Sequence, residues 1–517
     1  MRTSTRLVTA GAVALLTLLP GTAANAAPRP VRVSQASPYA GCTIGGTPTS
    51  VNFTGGEVEP MVASDRFRPG RVVAAWQQDR WNDGGAHGLA AGFSTDGGRS
   101  FREVTWPVSR CAPGGADYER ASDPWVSIGP DGTVYGSSLS FDGTTARNAI
   151  IAVTSYDGGR TWRNTTPVVA DTELRFFNDK NSVTADPVRP GSAYQVWDRF
   201  ESLPDGSGII TSPAMLSVTR DGGRTWSPAR IIVDTPRLQQ TIGSTIVADP
   251  RTGMLYNFYT SIRYTDTSAD NVEFSRYEVV RSFNGGRTWS QPTIIAPDTS
   301  VEDVDPNDPK KRLRTGAGLP FPAIDPRTGE LYVAYEGTDF TAGRFNQIQL
   351  VHSTDRGRTW SRPVRINGDP TTPAFTPSIA VTEDGDVGVT YYDLRTLRPG
   401  NTTTLPTSTW LTVSPRGGAR FGHERPVAPV FDHLKAPVAG GFFLGDYQGL
   451  NAVGDRFRAL FVAANDSPPS NPTDVFFNQL RSFERPDDRT DSALSPQATA
   501  APPAAHPVRW RPVRPTP

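Results

Sequence analysis

Several things are scarce in this sequence, and each shortage removes a class of function. The 517 residues carry 52 Lys plus Arg against 52 Asp plus Glu, so neither sign of charge is in excess. Binding to nucleic acid or to an anionic membrane surface draws on such an excess, and neither partner is expected. Cysteine is limited to Cys42 and Cys111, and no histidine lies at ligand spacing from either, which argues against a metal site. No apolar run after residue 26 is long enough to span a bilayer.

Glycine (49) and proline (47) are plentiful, together with 11 Trp and 24 Phe. Many turns combined with many large aromatics point to an all-β chain with a packed core rather than to disorder. The N-terminus has the composition of an export signal: Arg2 and Arg6, an apolar run from Leu7 to Leu19, and the small-x-small site Ala24-Asn25-Ala26. The expected mature chain starts near Ala27 and is secreted. In an oxidising compartment the two cysteines are expected to pair, tying an N-terminal arm (27–50) to the end of the first repeat. From residue 485 onward the chain is rich in Pro, Ala and Arg without periodicity and reads as a disordered tail.

The dominant feature is a repeat. An octapeptide occurs as STDGGRSF (94–101), SYDGGRTW (155–162), TRDGGRTW (219–226), SFNGGRTW (282–289) and STDRGRTW (353–360), with a worn sixth copy, SPRGGARF (414–421). Each is preceded by a stretch that reads strand, turn, strand, such as DPWVSIGPDGTVYGSS or FPAIDPRTGELYVAYE, and a seventh such opening begins at Asp446. Units of about 60 residues, each giving one four-stranded antiparallel sheet, describe a β-propeller over residues 51–484. Counting openings favours seven blades; six blades with an irregular remainder is the alternative. The short strand Thr49–Thr54 is expected to complete the last blade. A closed ring exposes no long sheet edge, so a monomer is expected.

The octapeptide matches the Asp-box, S-x-D-x-G-x-T-W, and the chain resembles the sialidase superfamily and its bacterial BNR-repeat relatives. Repetition itself argues that the box is structural: its Asp can accept turn amides, its glycines can take positive φ, and its Trp can pack between sheets. On this topology the Asp-boxes lie on the lower face. Catalytic residues belong on the upper face, in the segments before each opening and the loops after each second strand.

The resemblance implies specific parts. Sialidases grip a substrate carboxylate with three arginines, use an aspartate as acid or base, and use a tyrosine activated by a glutamate as nucleophile. The family's first arginine stands in an Arg-Ile-Pro string, where this chain has Val58-Glu59-Pro60. Losing one bidentate partner should remove about 2–4 kcal/mol of carboxylate binding, so strict sialidase activity is not expected. Elsewhere in the first repeat the match makes Arg80 a substrate contact and Asp83 the general acid, with Asp79 their neighbour. Position alone nominates Arg199, Arg263, Arg314, Arg395 and Asp446 for substrate binding, Tyr392 and Tyr447 for the tyrosine, and Glu336 for its glutamate. The acidic run 302–308 offers oxygen ligands for a structural calcium, but its spacing fits no calcium loop, and no cofactor is required. The leading expectation is a secreted glycoside hydrolase acting on exposed glycan ends, with a carbohydrate as its ligand. The alternatives are a non-catalytic propeller that binds glycan or protein, and a polysaccharide lyase.

Overall fold

An aspartate or glycine break turns each repeat after its first strand, and the octapeptide turns it after its third. Asp186, for example, accepts the amides of Val188 and Arg189, both at 2.9 Å. The computed structural model describes residues 29–482 apart from 419 and 467–469; the expected signal segment and tail lie outside the described residues. Among the described residues most strands form antiparallel meanders of four, with a few short strands outside them. The second blade is typical: Arg120–Ile128, Val134–Phe141, Asn148–Ser155 and Arg163–Asp171. The innermost strands of successive blades are Val58–Ser64, Arg120–Ile128, Phe176–Ala185, Gln239–Ala248, Phe321–Ile324, Ala374–Val381 and Gly449–Val453. Each packs against the next, and the last packs against the first, so the sheets form a β-propeller around a central channel.

The ring closes differently from expectation. Val31–Arg32, not Thr49–Thr54, supplies the outer strand of the last blade, pairing with Phe477 and Phe476. Side chains decide this. Val33 is buried in the core between the last and first blades, while Arg32 and Ser34 both reach Asp474, at 2.7 and 3.1 Å. Asn52–Phe53 instead pairs with Trp81 and Arg80 at the upper end of the first blade, where the Asn52 amide donates to the Asp79 carbonyl at 2.8 Å.

Cys42 and Cys111 are bonded, across 69 residues. The bridge holds the arm against the first two blades, where the Tyr39 hydroxyl donates to the Leu89 carbonyl at 2.7 Å. Replacing both cysteines by serine is expected to cost about 2–4 kcal/mol, because the cross-link restricts a long loop of the unfolded chain. Urea unfolding of the double variant measures this.

The Asp-box behaves as a turn. Asp157 accepts from the Thr161 amide at 2.9 Å and its hydroxyl at 2.7 Å, while Ser155 accepts from the Gly159 amide at 2.9 Å. The box Trp fills the gap between sheets: Trp162 lies 4.7 Å, centroid to centroid, from Trp106. Gly98 shows why the glycines are needed, since its φ is +89° and a Cβ there would stand 2.1 Å from the ring of Phe477 in the last blade. Gly98→Ala is expected to lower stability by about 2–3 kcal/mol, read by chemical denaturation.

Candidate active site

The upper mouth of the channel is built by a defect repeated around the ring. In five of the inner strands the pairing slips by a bulge, at Val58/Met61, Ser122/Trp125, Asp179/Ser182, Ile242/Thr245 and Phe375/Ser378. Each bulge contains one residue of positive φ: Glu59 (55°), Asp123 (50°), Lys180 (49°), Gly243 (73°) and Thr376 (49°). Four of these are not glycine, and three precede proline, which further disfavours a helical backbone. Bulges re-aim side chains, and strained φ values of this kind concentrate at functional sites. Here they turn Glu59, Asp123 and Lys180 toward one point, and Asp446 and Tyr447 reach it from the entry to the last blade.

Lys180 Nζ sits at the centre, 2.6 Å from Asp446 Oδ2, 3.3 Å from Asp123 Oδ1 and 3.7 Å from Glu59 Oε1. Arg314 grips Asp446 with two bonds, Nη2 to Oδ2 at 2.7 Å and Nε to Oδ1 at 3.0 Å. The Tyr447 hydroxyl lies 3.5 Å from Glu59 Oε2, and its ring packs 5.5 Å from Trp125. Gln77 joins the network by donating to Glu59 and accepting from Arg80 Nη1 at 2.8 Å. Arg80 and Arg314 flank the ring of Phe443, with Cζ atoms 5.0 and 4.4 Å from its centroid. Arg80 is buried, makes no ion pair at these distances, and leaves Nε without a partner.

Burial and mutual charge set the protonation states. Loss of solvent, reinforced by Asp123, pushes the Glu59 carboxyl up to about 7 despite Lys180 nearby. Asp179 rises to about 7 for the same first reason, with Asp123 adding to it. Burial also opposes ionisation of Asp446, but Arg314 and Lys180 outweigh it and hold that carboxylate far below its ordinary range. The Lys180 ammonium is held charged, since Asp123, Asp446 and Glu59 together exceed its desolvation. Burial keeps the Tyr447 phenol protonated, and Glu59 adds to this. The site therefore joins fixed cations, a fixed carboxylate and two carboxylic acids poised near neutrality. Pairs of acids pushed apart in this way are what acid–base chemistry requires.

Directly along the channel lies a cavity of about 150 Å³ bordered by Lys180, Tyr447, Trp125, Met61, Leu319 and Ile379. Of the charged groups around Lys180, the Arg314 side chain is 19% exposed and Asp179 is half-buried.

Arg80, Arg314, Asp446 and Tyr447 thus converge. The other nominated residues do not. Asp83 binds Arg120 Nη1 at 2.8 Å and the Ser50 hydroxyl at 2.6 Å, and Arg120 in turn donates to the Gly45 carbonyl, so this pair clamps the N-terminal arm. Arg199 pairs with Asp171 and lies over Phe176. Arg263 pairs with Glu273, and Arg395 with Asp393 and Glu424 over Trp410. The Tyr392 hydroxyl both donates to Val462 O and accepts from Val462 N, stitching the sixth blade to the seventh. Glu336 is not beside a nominated tyrosine hydroxyl; it shares Asn346 and Thr315 with Asp303 and accepts from the Thr376 amide at 2.8 Å. Within the acidic run, Asp305 accepts from the Asn307 amide and Glu302 pairs with Arg312, forming a hairpin.

Glu59, Asp123, Asp179 and Lys180 were not nominated from the sequence. For Glu59, Asp123 and Lys180 the signal was the first position of an opening, where Glu-Pro, Asp-Pro and Lys-Asn stand, and Asp179 immediately precedes Lys180.

Residues 277–435 match the family model described as a BNR repeat-like domain. That segment is a BNR repeat-like domain. No curated protein matches it. Among solved structures, this BNR propeller is similar to the Hadza microbial sialidase Hz136 at 16% identity and a TM-score of 0.46, over 79% of this chain and 76% of that one. It is similar to a Penicillium chrysogenum α-L-arabinanase complexed with arabinobiose at 14% identity and a TM-score of 0.40, over 83% and 98% of the two chains. A Fusarium graminearum α-L-arabinofuranosidase aligns at 13% identity and a TM-score of 0.45, over 71% and 96%.

Proposed function

We propose that this BNR propeller is a secreted glycoside hydrolase acting on exposed glycan ends at the upper mouth of its channel. The observation that carries this is the junction of Glu59, an acid protonated up to about pH 7, with Tyr447, Arg80, Lys180 and Arg314. Glu59 delivers its proton to the glycosidic oxygen as the anomeric C–O bond breaks; water adds at the anomeric carbon and gives its proton to a neighbouring carboxylate, for which Asp123 is placed. Arg80, with donors unspent, orients an oxygen of the sugar. Tyr447 stays a phenol and positions Glu59 rather than attacking.

A second reading, a glycan-binding propeller without turnover, is favoured by one fact: Asp446 is fully buried and saturated by Arg314 and Lys180, as a structural ion pair would be. Incubation of the purified protein with a broad glycan panel separates the readings. Release of reducing sugar without an ultraviolet-absorbing product supports hydrolysis. Affinity without turnover supports the binding module, and an unsaturated product indicates a lyase.

A further inference from the structure

The lower face carries a second charged site, and three departures from the repeat pattern meet there. The second position of the Asp-box is Thr95, Tyr156, Phe283 and Thr354 in four copies but Arg220 in the third blade. Eleven residues after the box begins, at the position of Thr105, Thr166, Thr293 and Val364, the third blade has Arg230. The box aspartate is replaced by an amide among the five good copies only in the fourth blade, as Asn284. The third and fourth blades are neighbours, so all three changes fall at one junction.

A pocket of about 460 Å³ lies there, walled by Arg220, Arg230, Arg287, Asp221 and Trp226. Arg220 Nη2 reaches the Gly285 carbonyl at 3.4 Å, and Arg230 donates to the Gly286 carbonyl, so both guanidinium groups lean over the fourth blade's box. None of the three arginines pairs with a carboxylate among the described residues, and Arg230 Nε is buried without a partner. Asp221 is the single acid in the wall, and its oxygens are taken by Thr219, the Thr225 amide and the Thr225 hydroxyl at 2.9, 3.0 and 2.6 Å. The box arginine of the second blade turns back on its own box, Arg160 donating to the Asp157 carbonyl at 2.6 Å, and so does that of the third, Arg224 donating to the Asp221 carbonyl at 2.7 Å. Burial, with the charge of Arg220 adding to it, already disfavours the Arg230 cation. Three like charges stand around one acid whose oxygens are already engaged, beside a box that has an amide in place of the repeat's usual acid, and such a cluster favours an anion.

We propose that this junction is a binding site for a tetrahedral dianion, a sulfate or phosphate group, either free or esterified on a glycan. Planar guanidinium forks match the oxygens of such a group, and three of them can surround it. The site lies on the face opposite the Glu59 cluster and does not depend on what that cluster does. It gives the protein a hold on an anionic polymer separate from the channel mouth.

Titration calorimetry of the full chain with inorganic sulfate, inorganic phosphate and chloride at matched ionic strength tests this. One-to-one binding of a dianion, absent for chloride, is expected. The double variant R220T/R230T carries residues the other repeats use at these positions and should fold; it is expected to weaken binding at least tenfold. N284D, which restores the repeat's acid, is expected to weaken binding several-fold. R160Q removes one positive charge elsewhere on the same face and is expected to leave binding unchanged. Dextran sulfate, dextran phosphate and plain dextran then identify the source: tighter binding of one charged polymer than of its free ion assigns an ester, and equal binding assigns the free ion. Equal responses to sulfate, phosphate and chloride would overturn the proposal. So would undiminished binding in R220T/R230T, or a loss in R160Q as large as in the double variant.

Discussion

Glu59→Gln is expected to abolish glycan hydrolysis while leaving the propeller folded. The amide keeps the size of the carboxyl and can still accept from Gln77 and Tyr447, so the network survives. What it cannot do is release a proton to a leaving oxygen. Loss of a positioned general acid lowers kcat by about 10²–10⁴-fold, with KM little changed. The wild-type rate should be highest with Glu59 protonated and fall as pH rises through about 7. Stability carries the same signature. The native carboxyl ionises near 7 and the unfolded one near 4.5, so between these values the native state binds more protons. Raising pH across that window therefore destabilises the wild type relative to the Gln variant, which has no proton to lose. Thermal unfolding at pH 5 and pH 8 measures the difference, and a pH-independent gap between the two proteins would contradict the assignment.

The second large effect concerns Asp446. This carboxylate alone neutralises Arg314 through two bonds and gives Lys180 its shortest contact. In Asp446→Asn, Arg314 loses its carboxylate partner and Lys180 its nearest one, leaving Lys180 with Asp123 and Glu59. Removing one member of a buried ion pair costs about 3–5 kcal/mol, and two cations share this one. Urea unfolding is expected to show a loss in that range, and activity should fall with it, because Lys180 would turn wholly to Asp123 and Glu59 and draw the Glu59 proton off. A loss under 1 kcal/mol would mean that water, rather than Asp446, stabilises these cations.

The scaffold was legible in the sequence because its device is local. Five octapeptides in register, each closing its turn with its own side-chain hydrogen bonds as Ser155, Asp157 and Thr161 do in the second copy, announce the turn between third and fourth strands without any tertiary information. The cysteine pair was legible for a similar reason, being the only two in the chain. Ring closure was not, because Val31–Arg32 is two residues long and carries no alternation; its partner lies beyond residue 470. The charge cluster was half legible. Loop position brought Arg80, Arg314, Asp446 and Tyr447 into view, but Tyr447 and Glu59 stand 388 residues apart, and only the closed ring makes them neighbours. Glu59, Asp123 and Lys180 escaped notice because period-two alternation assigns them to regular strand. The bulge that turns them into the channel depends on positive φ at non-glycine residues, which no local propensity signals. Val58 is where the resemblance lacks an arginine, and the structure puts a proton-bearing acid at the next residue, Glu59. Asp83 shows the converse: a loop acid beside a glycine looks catalytic until Arg120 arrives from the next blade to claim it.

A crystal structure of Glu59→Gln soaked with a glycan that the wild type cleaves shows whether Glu59 is the acid. The expected result is a sugar at the upper mouth, with its glycosidic oxygen within hydrogen-bond reach of residue 59 and a hydroxyl or ring substituent on Arg80. A glycan bound elsewhere, with the Lys180–Asp446–Arg314 cluster sealed beneath it and untouched, would contradict the account and make the cluster a structural plug.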